Sequence, residues 1–322
     1  MHTKGLGKSF LFMIVGAVLV LVLVAGCGTM ESASKTVKSA TEKVQAAYKN
    51  VVPWESAGGD KLRKRVVVAP FLDQVGLSKD KLDQYRAEFI DALKEDKALV
   101  IHDIPGFAPT RAQIRSPQFG IVIDPDLEKR AEALGMNVLI TVVLNPVDIE
   151  YTRVGFYPFR WLKKQLTISV VANAADTVNG TLFLTQLESR VVKVPKELQE
   201  DKDLPDILAH KDFSQTISRL LDREASAVKR ALDSHPWAGK ILSADEGKLM
   251  ISAGTDVGVV PGDIFEVFSR GESLRSAGGT HIFLLGQKIG EIKVTEVKEE
   301  YSAAVPLSDT KFQAGEVIRL KR

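Results

Sequence analysis

The sequence contains one cysteine, Cys27, in 322 residues. A disulfide within the chain is therefore excluded, and stability has to come from buried apolar surface. Histidine is also scarce, and the five histidines stand too far apart in sequence to form a zinc motif, so we expect no metal site. An excess of one charge is lacking too. The net charge of +2 argues against a nucleic-acid partner, which would need a concentrated basic face.

Catalytic motifs are also missing. The string Gly5 to Ser9 lacks the first glycine of a P-loop, and Ser39 is followed three residues later by Glu42 where a Ser-x-x-Lys pair needs lysine. Asp73, Asp124 and Asp126 are the carboxylates that sequence leaves open for a cleft, but capping or loop positions suit them better. We therefore expect a non-enzymatic protein with no cofactor.

The amino terminus has the pattern of an export signal. Lys4 and Lys8 precede an uncharged, mostly aliphatic run over residues 10–26, and the small residues Ala25 and Gly26 stand directly before Cys27. The run is slightly short of the roughly 20 residues of a membrane-spanning helix, which is the alternative interpretation.

This ending resembles the lipobox of bacterial lipoprotein precursors. The resemblance implies cleavage between Gly26 and Cys27, with acyl chains such as palmitate on the cysteine that anchor the mature chain in a membrane. Gly28 follows the cysteine, where lipoproteins kept in the inner membrane often carry aspartate. The prediction is therefore an outer-membrane lipid anchor with the chain on the periplasmic side.

Composition divides the chain into four parts. Residues 1–26 are the predicted signal peptide, and residues 27–64 are a Ser, Thr, Ala and Lys-rich tether, partly helical over residues 31–50 or disordered. Residues 65–234 show strands and helices in β-α-β-α-β order, followed by a hairpin and a long helix. Residues 237–322 hold 11 of the 24 glycines and alternate short strands with turns, which predicts a small closed β-barrel.

The predicted fold class is therefore α+β, a mixed sheet with packed helices followed by an all-β barrel. The predicted strands and helices are residues 65–71, 79–94, 98–102, 126–134, 137–144, 166–172, 181–190 and 212–233, and in the barrel 237–244, 248–252, 264–269, 287–297, 301–306 and 316–321.

Two family resemblances cover these parts. The glycine pattern at Gly254, Gly258 and Gly262, leading into residues 265–268, is similar to the carboxy-terminal domain of flagellar assembly protein T. The strand near residue 66, residues 133–140 and the turn at residues 176–181 resemble the module shared by the TolB amino-terminal domain, the CsgG secretion channel and the LpoB activator of a peptidoglycan synthase. These resemblances imply an assembly factor of an envelope machine, of flagellar or secretion type.

Residues 147–161 are the candidate docking segment. Val147, Ile149 and Tyr151 alternate with polar residues, and an aromatic-rich stretch follows. An extended edge hairpin and a loop that packs its aromatics on a neighbour both fit the pattern. The predicted partner-binding residues are Phe156, Tyr157, Phe159 and Trp161.

Three non-enzymatic functions stay open from sequence. The first is a lipid-anchored periplasmic scaffold that binds other envelope proteins, and the second is an activator of a peptidoglycan synthase. The third is a CsgG-like secretion channel, which predicts a homo-oligomeric ring and needs about 9 to 11 alternating residues in each strand. Arg160, Lys163 and Lys164 interrupt one arm.

Overall fold

The computed structural model describes residues 62–104, 107, 125–195, 204–245, 247–275 and 281–321. All of them belong to one compact unit, residues 59–322. The predicted signal peptide, the cleavage site at Gly26 and Cys27, and the tether helix over residues 31–50 lie outside the described residues. The described chain is an α+β fold with a mixed sheet followed by a closed barrel, as the sequence predicts.

The first part is a seven-stranded mixed sheet with helices on both faces. Strand order is β3-β1-β4-β6-β5, with β2 paired to β4 and β7 paired to β6. The elements are β1 (Lys64–Val68), β2 (Leu72–Asp73), α1 (Lys79–Lys94), β3 (Leu99–His102), α2 (Pro125–Ala133), β4 (Val138–Leu144), β5 (Asp148–Phe156), β6 (Phe159–Asp176), β7 (Thr181–Lys193), α3 (Leu204–Ala209) and α4 (Lys211–Ser234).

The central strands are apolar without alternation because both of their faces are buried. Val66 and Val68 of β1 point into the larger core, which α1 and α4 cover. Val67 and Ala69 point to the opposite side, where they pack against Leu127 of α2. A continuous valine run therefore fits a strand that is covered on both faces.

Local signals place the two long helices. Ser78 caps α1 by accepting a hydrogen bond from the Lys81 backbone N–H, and the buried side of that helix carries Tyr85, Phe89 and Leu93. Helix α4 buries a stripe of residues three or four positions apart against the sheet, and it ends at Ser234, directly before His235.

The second part is a six-stranded closed barrel, in the order β10-β11-β12-β9-β8-β13. Its strands are β8 (Gly239–Asp245), β9 (Lys248–Ile251), β10 (Ile264–Arg275), β11 (His281–Val297), β12 (Ser302–Pro306) and β13 (Val317–Leu320). A short 3₁₀ turn at Thr255–Val257 interrupts the strands. Trp237, Phe265 and Ile292 fill the barrel core, and Leu62, from the chain before β1, packs there too.

The sheet and the barrel are joined by specific contacts. The guanidinium group of Arg65 on β1 donates to both carboxylate oxygens of Asp256, at 2.5 and 2.7 Å, and to the Glu300 carbonyl at 2.6 Å. The Asn137 side chain accepts from the Arg65 backbone N–H and donates to the Ala238 carbonyl, both at 2.8 Å. These buried hydrogen bonds fix the position of the barrel relative to the sheet.

Among the described residues, none of the helices combines the length and the hydropathy that a membrane span requires.

Candidate docking surface

The predicted aromatic segment forms the end of a two-stranded ribbon. Strands β5 and β6 pair antiparallel from Asp148–Thr167 to Phe156–Phe159. The neighbouring strand β7 pairs with β6 only from Gln165 onward. Residues 151–164 therefore extend beyond the sheet as a hairpin of about six residues in each arm, which corresponds to about 20 Å at 3.4 Å per residue. We call this ribbon the free hairpin.

The free hairpin ends in large exposed side chains. Phe156, Tyr157, Phe159 and Trp161 expose 73%, 82%, 65% and 53% of their surface, and Leu162 exposes 54%. Phe156 and Phe159 make an edge-to-face contact with ring centroids 5.7 Å apart. The sequence predicted these residues as a loop or as an edge hairpin, and the hairpin is what the structure contains.

Gly155 allows the two arms to close. Its backbone has φ +101°, a conformation that side-chain-bearing residues rarely adopt. A Cβ atom at this position would lie 2.1 Å from the Phe159 carbonyl oxygen and 2.9 Å from the Trp161 ring. The glycine therefore determines how closely the aromatic end packs.

The charge of the free hairpin is one-sided. Residues 151–164 include Arg153, Arg160, Lys163 and Lys164 and contain no acidic residue. Because side chains alternate along paired strands, Arg153, Arg160 and Lys164 share one face, while Lys163 shares the other face with the Trp161 ring. Within the described residues, these four side chains make no ion pair, so their charge is available to a ligand outside the fold.

The aromatic residues next to the turn lie on the opposite face of the ribbon from Arg153 and Arg160, whereas Tyr151 and Leu162 lie on the same face as these two cations. The paired positions Val154 with Trp161 and Phe156 with Phe159 lie on the same side by register. One face of the free hairpin is therefore mainly aromatic near the turn, and the other face carries three of its four cations together with Tyr151 and Leu162.

A second polar cluster lies at the junction of sheet and barrel. Glu132 of α2 forms ion pairs with Lys240 of β8 and with Arg270 of β10, the latter at 3.6 Å. Asp176 Oδ2 lies 2.9 Å from His235 Nε2, within hydrogen-bond distance, and the His235 ring stacks on the Phe183 ring. Each of these charged groups has a partner across or beside the junction, as a structural ion-pair cluster requires.

The pKa values in this cluster follow from burial and neighbouring charge. Burial raises the pKa of Glu128 to about 7, with Glu132 and Asp176 adding to the rise. The pKa of Asp176 is lowered: burial opposes ionisation, but the hydrogen bond and charge of His235 and the Val178 and Asn179 backbone N–H groups outweigh it. The ion pair with His235 accounts for the position of Asp176, whereas Glu128 Oε1 is buried without a hydrogen-bond partner among the described residues.

Two of the three carboxylates left open by the sequence, Asp73 and Asp126, have local structural roles in the described part of the chain. Asp73 accepts from the backbone N–H groups of Val75, Gly76 and Leu77, so it stabilises a turn. Asp126 lies in the first turn of α2, where a negative charge interacts favourably with the helix dipole. Asp124 lies outside the described residues. Within the described part of the chain, no three His, Cys, Asp or Glu side chains are grouped so that they could hold a metal ion.

Sequence reasoning missed the residues that join the two parts. Arg65 and Asp256 are 191 positions apart, and nothing local marks them as partners. The Asp-Thr-Val-Asn-Gly turn at residues 176–180 was predicted as a hairpin turn, but its packing was not. Val178 in that turn contacts the barrel residues Ala238 and Val317, and the Asn179 carbonyl accepts from the Phe283 backbone N–H at 2.8 Å.

No family model matches the chain, and no curated protein matches it. Among solved structures it is similar to a variant PelC dodecamer from Paraburkholderia phytofirmans, at 9% identity and TM-score 0.32, over 56% of this chain and 94% of that chain. It is also similar to lipoprotein GNA1162 from Neisseria meningitidis, at 15% identity and TM-score 0.26, over 53% and 99% of the two chains.

A third similar structure is a minor lipoprotein from Acinetobacter baumannii, at 9% identity and TM-score 0.22, over 50% of this chain and 93% of that chain. These structural neighbours include bacterial lipoproteins. At these scores they assign neither a family nor an activity to this chain, and the resemblances to TolB, CsgG, LpoB and flagellar assembly protein T stay predictions.

Proposed function

We propose that this chain is a non-enzymatic, lipid-anchored scaffold or assembly factor of the bacterial cell envelope, which engages another envelope component through the free hairpin. One observation carries the proposal: five large apolar side chains at the end of the hairpin each expose more than half of their surface. Exposed aromatic clusters of this kind are typical of surfaces that become buried against a partner.

The lipobox pattern supplies the anchor in this proposal. Acylation of Cys27 fixes the chain to the periplasmic side of the outer membrane, and residues 27–64 connect the anchor to the fold. A fully extended tether of 38 residues reaches about 125 Å at most, at about 3.3 Å per residue. The fold therefore operates near its membrane or within reach of the cell wall.

The family resemblances imply a flagellar or secretion-apparatus setting. An activator of a peptidoglycan synthase is the alternative, because it also needs a tethered fold that meets another protein. The secretion channel is disfavoured by the geometry of the free hairpin. Its arms have about six residues each, whereas a membrane-spanning strand needs about 9 to 11.

Photo-crosslinking in cells tests the proposal. A photoreactive phenylalanine analogue replaces Tyr157 in the full chain, and a second chain carries the analogue at the exposed barrel residue Tyr301 as the matched control. The proposal predicts an adduct from position 157 that is absent from position 301 and decreases when Trp161 is replaced by serine. A chain that is exported and acylated normally but gives no adduct from position 157 would contradict the proposal.

The identity of the adduct separates the candidate functions. Flagellar or secretion components support the scaffold, and a cell-wall synthase supports the activator. An adduct with a second copy of the chain would indicate a homo-oligomer.

A further inference from the structure

The composition of the free hairpin is unusual within this chain. Its 14 residues, 151–164, hold five of the 22 aromatic residues and four basic residues, with no acid. Tyr151 adds a 62% exposed ring below the aromatic end. Aromatic rings with one polar edge, next to lysine and arginine, are characteristic of protein segments that lie at the interface between water and lipid headgroups.

The distribution of residues over the two faces of the free hairpin is also typical of a segment at the interface between water and lipid headgroups. Val154, Phe156, Phe159 and Trp161 form an apolar patch next to the turn on one face, with Lys163 further from the turn, while Arg153, Arg160 and Lys164 lie on the other face together with Leu162. Interfacial segments have this arrangement, because their apolar face enters the boundary between headgroups and acyl chains while long cationic side chains remain at headgroup level.

The dimensions favour shallow insertion. The free hairpin reaches about 20 Å from the sheet, whereas the hydrocarbon core of a bilayer is about 30 Å thick. Both faces carry charges within a few residues of the aromatic end, so only that end can leave water. The hairpin thus has the length to place its rings among the headgroups, and the folded body stays outside the bilayer.

We infer that the free hairpin docks on the anionic surface of a lipid bilayer, as a second membrane contact beside the acylated cysteine. This inference rests on the proposed function and names the partner of the same surface. Charge complementarity carries it: four cations without an acid match phosphatidylglycerol-type headgroups. The aromatic face supplies the apolar contribution to binding.

Vesicle binding tests the inference directly. The mature chain, residues 27–322, is prepared with Cys27→Ser, which removes the only thiol and the acyl anchor. Tyr157→Cys then provides a unique site for an environment-sensitive fluorophore, and Ser308→Cys on an exposed barrel loop is the matched label position. The probe membranes are vesicles of phosphatidylethanolamine with phosphatidylglycerol, compared with vesicles of phosphatidylcholine alone.

The expected result is a blue-shifted, brighter emission from position 157 with the anionic vesicles, with little change from position 308. Added salt should weaken binding. Arg160→Gln with Lys164→Gln should reduce partitioning roughly 25-fold, since each cation near an anionic surface contributes about fivefold. The charge-matched control is Lys248→Gln with Lys311→Gln, on the exposed surface of the barrel, and it should bind like the parent chain.

The apolar contribution needs its own variant. Phe156→Ser with Phe159→Ser should abolish the emission change, and because both rings are exposed, the circular dichroism spectrum and the unfolding midpoint should stay those of the parent chain. Equal binding of this variant and the parent chain would overturn the inference, and so would an emission from position 157 that is indifferent to anionic vesicles.

The cellular crosslinking experiment separates this inference from the proposed function. A lipid adduct from position 157 supports both. An adduct with a protein alone would overturn the bilayer assignment and leave the scaffold proposal intact. The absence of any adduct would remove the scaffold proposal itself.

Discussion

Cys27 is the residue on which the location of the chain depends in our proposal. Cys27→Ser removes the only thiol, so it should abolish incorporation of a palmitate analogue and reduce the share of the chain that stays in the membrane fraction after a high-salt wash. Metabolic labelling followed by fractionation measures both effects. Labelling that persists in the serine variant would show that the acyl group is attached elsewhere.

A neighbouring substitution serves as the control for sorting. Gly28→Asp leaves Cys27 in place, so acylation should persist, while separation of the two membranes should find the chain in the inner one. An aspartate variant that still fractionates with the outer membrane would contradict the sorting role given to Gly28.

The buried carboxyl group of Glu224 should make the stability of the fold depend on pH. Its side chain is fully buried on α4, and burial, with the charge of Glu188 second, raises its pKa from 4.5 to about 9. Between these two values the folded form keeps a proton that the unfolded form loses, so stability falls as pH rises from about 4.5 to about 9. Glu224→Gln cannot ionise, and we expect it to be roughly 3 kcal/mol more stable than the parent chain at pH 7.

Urea unfolding at pH 4, 7 and 8 measures this difference. The gain should be near zero at pH 4 and should grow with pH. Asp222→Asn, on the exposed side of the same helix, is the matched control and should show no such growth. A gain from Glu224→Gln that is the same at every pH would mean that packing, and not ionisation, causes it.

At the scale of single elements, the free hairpin depends on Gly155. Gly155→Ala combines a positive φ with a Cβ atom 2.1 Å from the Phe159 carbonyl oxygen, so the arms must separate or shift register. We expect a local cost of about 1 to 3 kcal/mol, seen as faster amide exchange over residues 151–164 with the rest of the sheet unchanged. Hydrogen exchange measured by mass spectrometry gives the amide exchange rates in the free hairpin and in the rest of the sheet.

Gly247 provides the control for backbone strain alone. It also has a positive φ, +84°, but a Cβ atom there would meet nothing within 4 Å. Gly247→Ala therefore isolates the cost of the left-handed backbone. If Gly247→Ala speeds amide exchange around residue 247 as much as Gly155→Ala speeds it over residues 151–164, the contact with Phe159 contributes nothing to the cost.

The elements also show where sequence prediction succeeds. Helix α1 was predicted at its observed bounds from its apolar residues, which repeat every three or four positions, and the structure adds the cap at Ser78. Strand β5 is exposed along nearly its whole length, so the short alternation at Val147, Ile149 and Tyr151 does not mark a buried face. The free hairpin was therefore predicted from this alternation and from the aromatic stretch that follows it, and its pairing register came from the structure.

The barrel also shows which contacts cannot be predicted from the sequence. Six short strands with turns between them were sufficient to predict a closed barrel, because closure removes exposed edges. The long hairpin of β10 and β11 extends further than predicted, to Arg275 and His281, and it reaches the turn at Asn179. Contacts of this kind depend on residues about 100 positions apart, which no local pattern encodes.

At the scale of the whole molecule, the sheet and barrel share buried polar contacts. Arg65 is almost fully buried and satisfies Asp256 and three backbone carbonyls, those of Gly135, Ser252 and Glu300. Together with Asn137 and the small apolar cluster around Val178, it makes the junction resemble the interior of a single domain more than a linker. A membrane contact at the free hairpin would then fix the orientation of the barrel as well.

This coupling predicts that the two parts unfold together. In the parent chain, the slowest amides of β4 and β10 should exchange with the same opening free energy, because neither part opens without breaking the junction. Arg65→Met leaves Asp256 unpaired and three carbonyls without their donor, which should cost about 3 kcal/mol. In that variant the barrel amides should exchange faster than those of β4. Different opening free energies for the slowest amides of β4 and β10 in the parent chain would contradict the coupling.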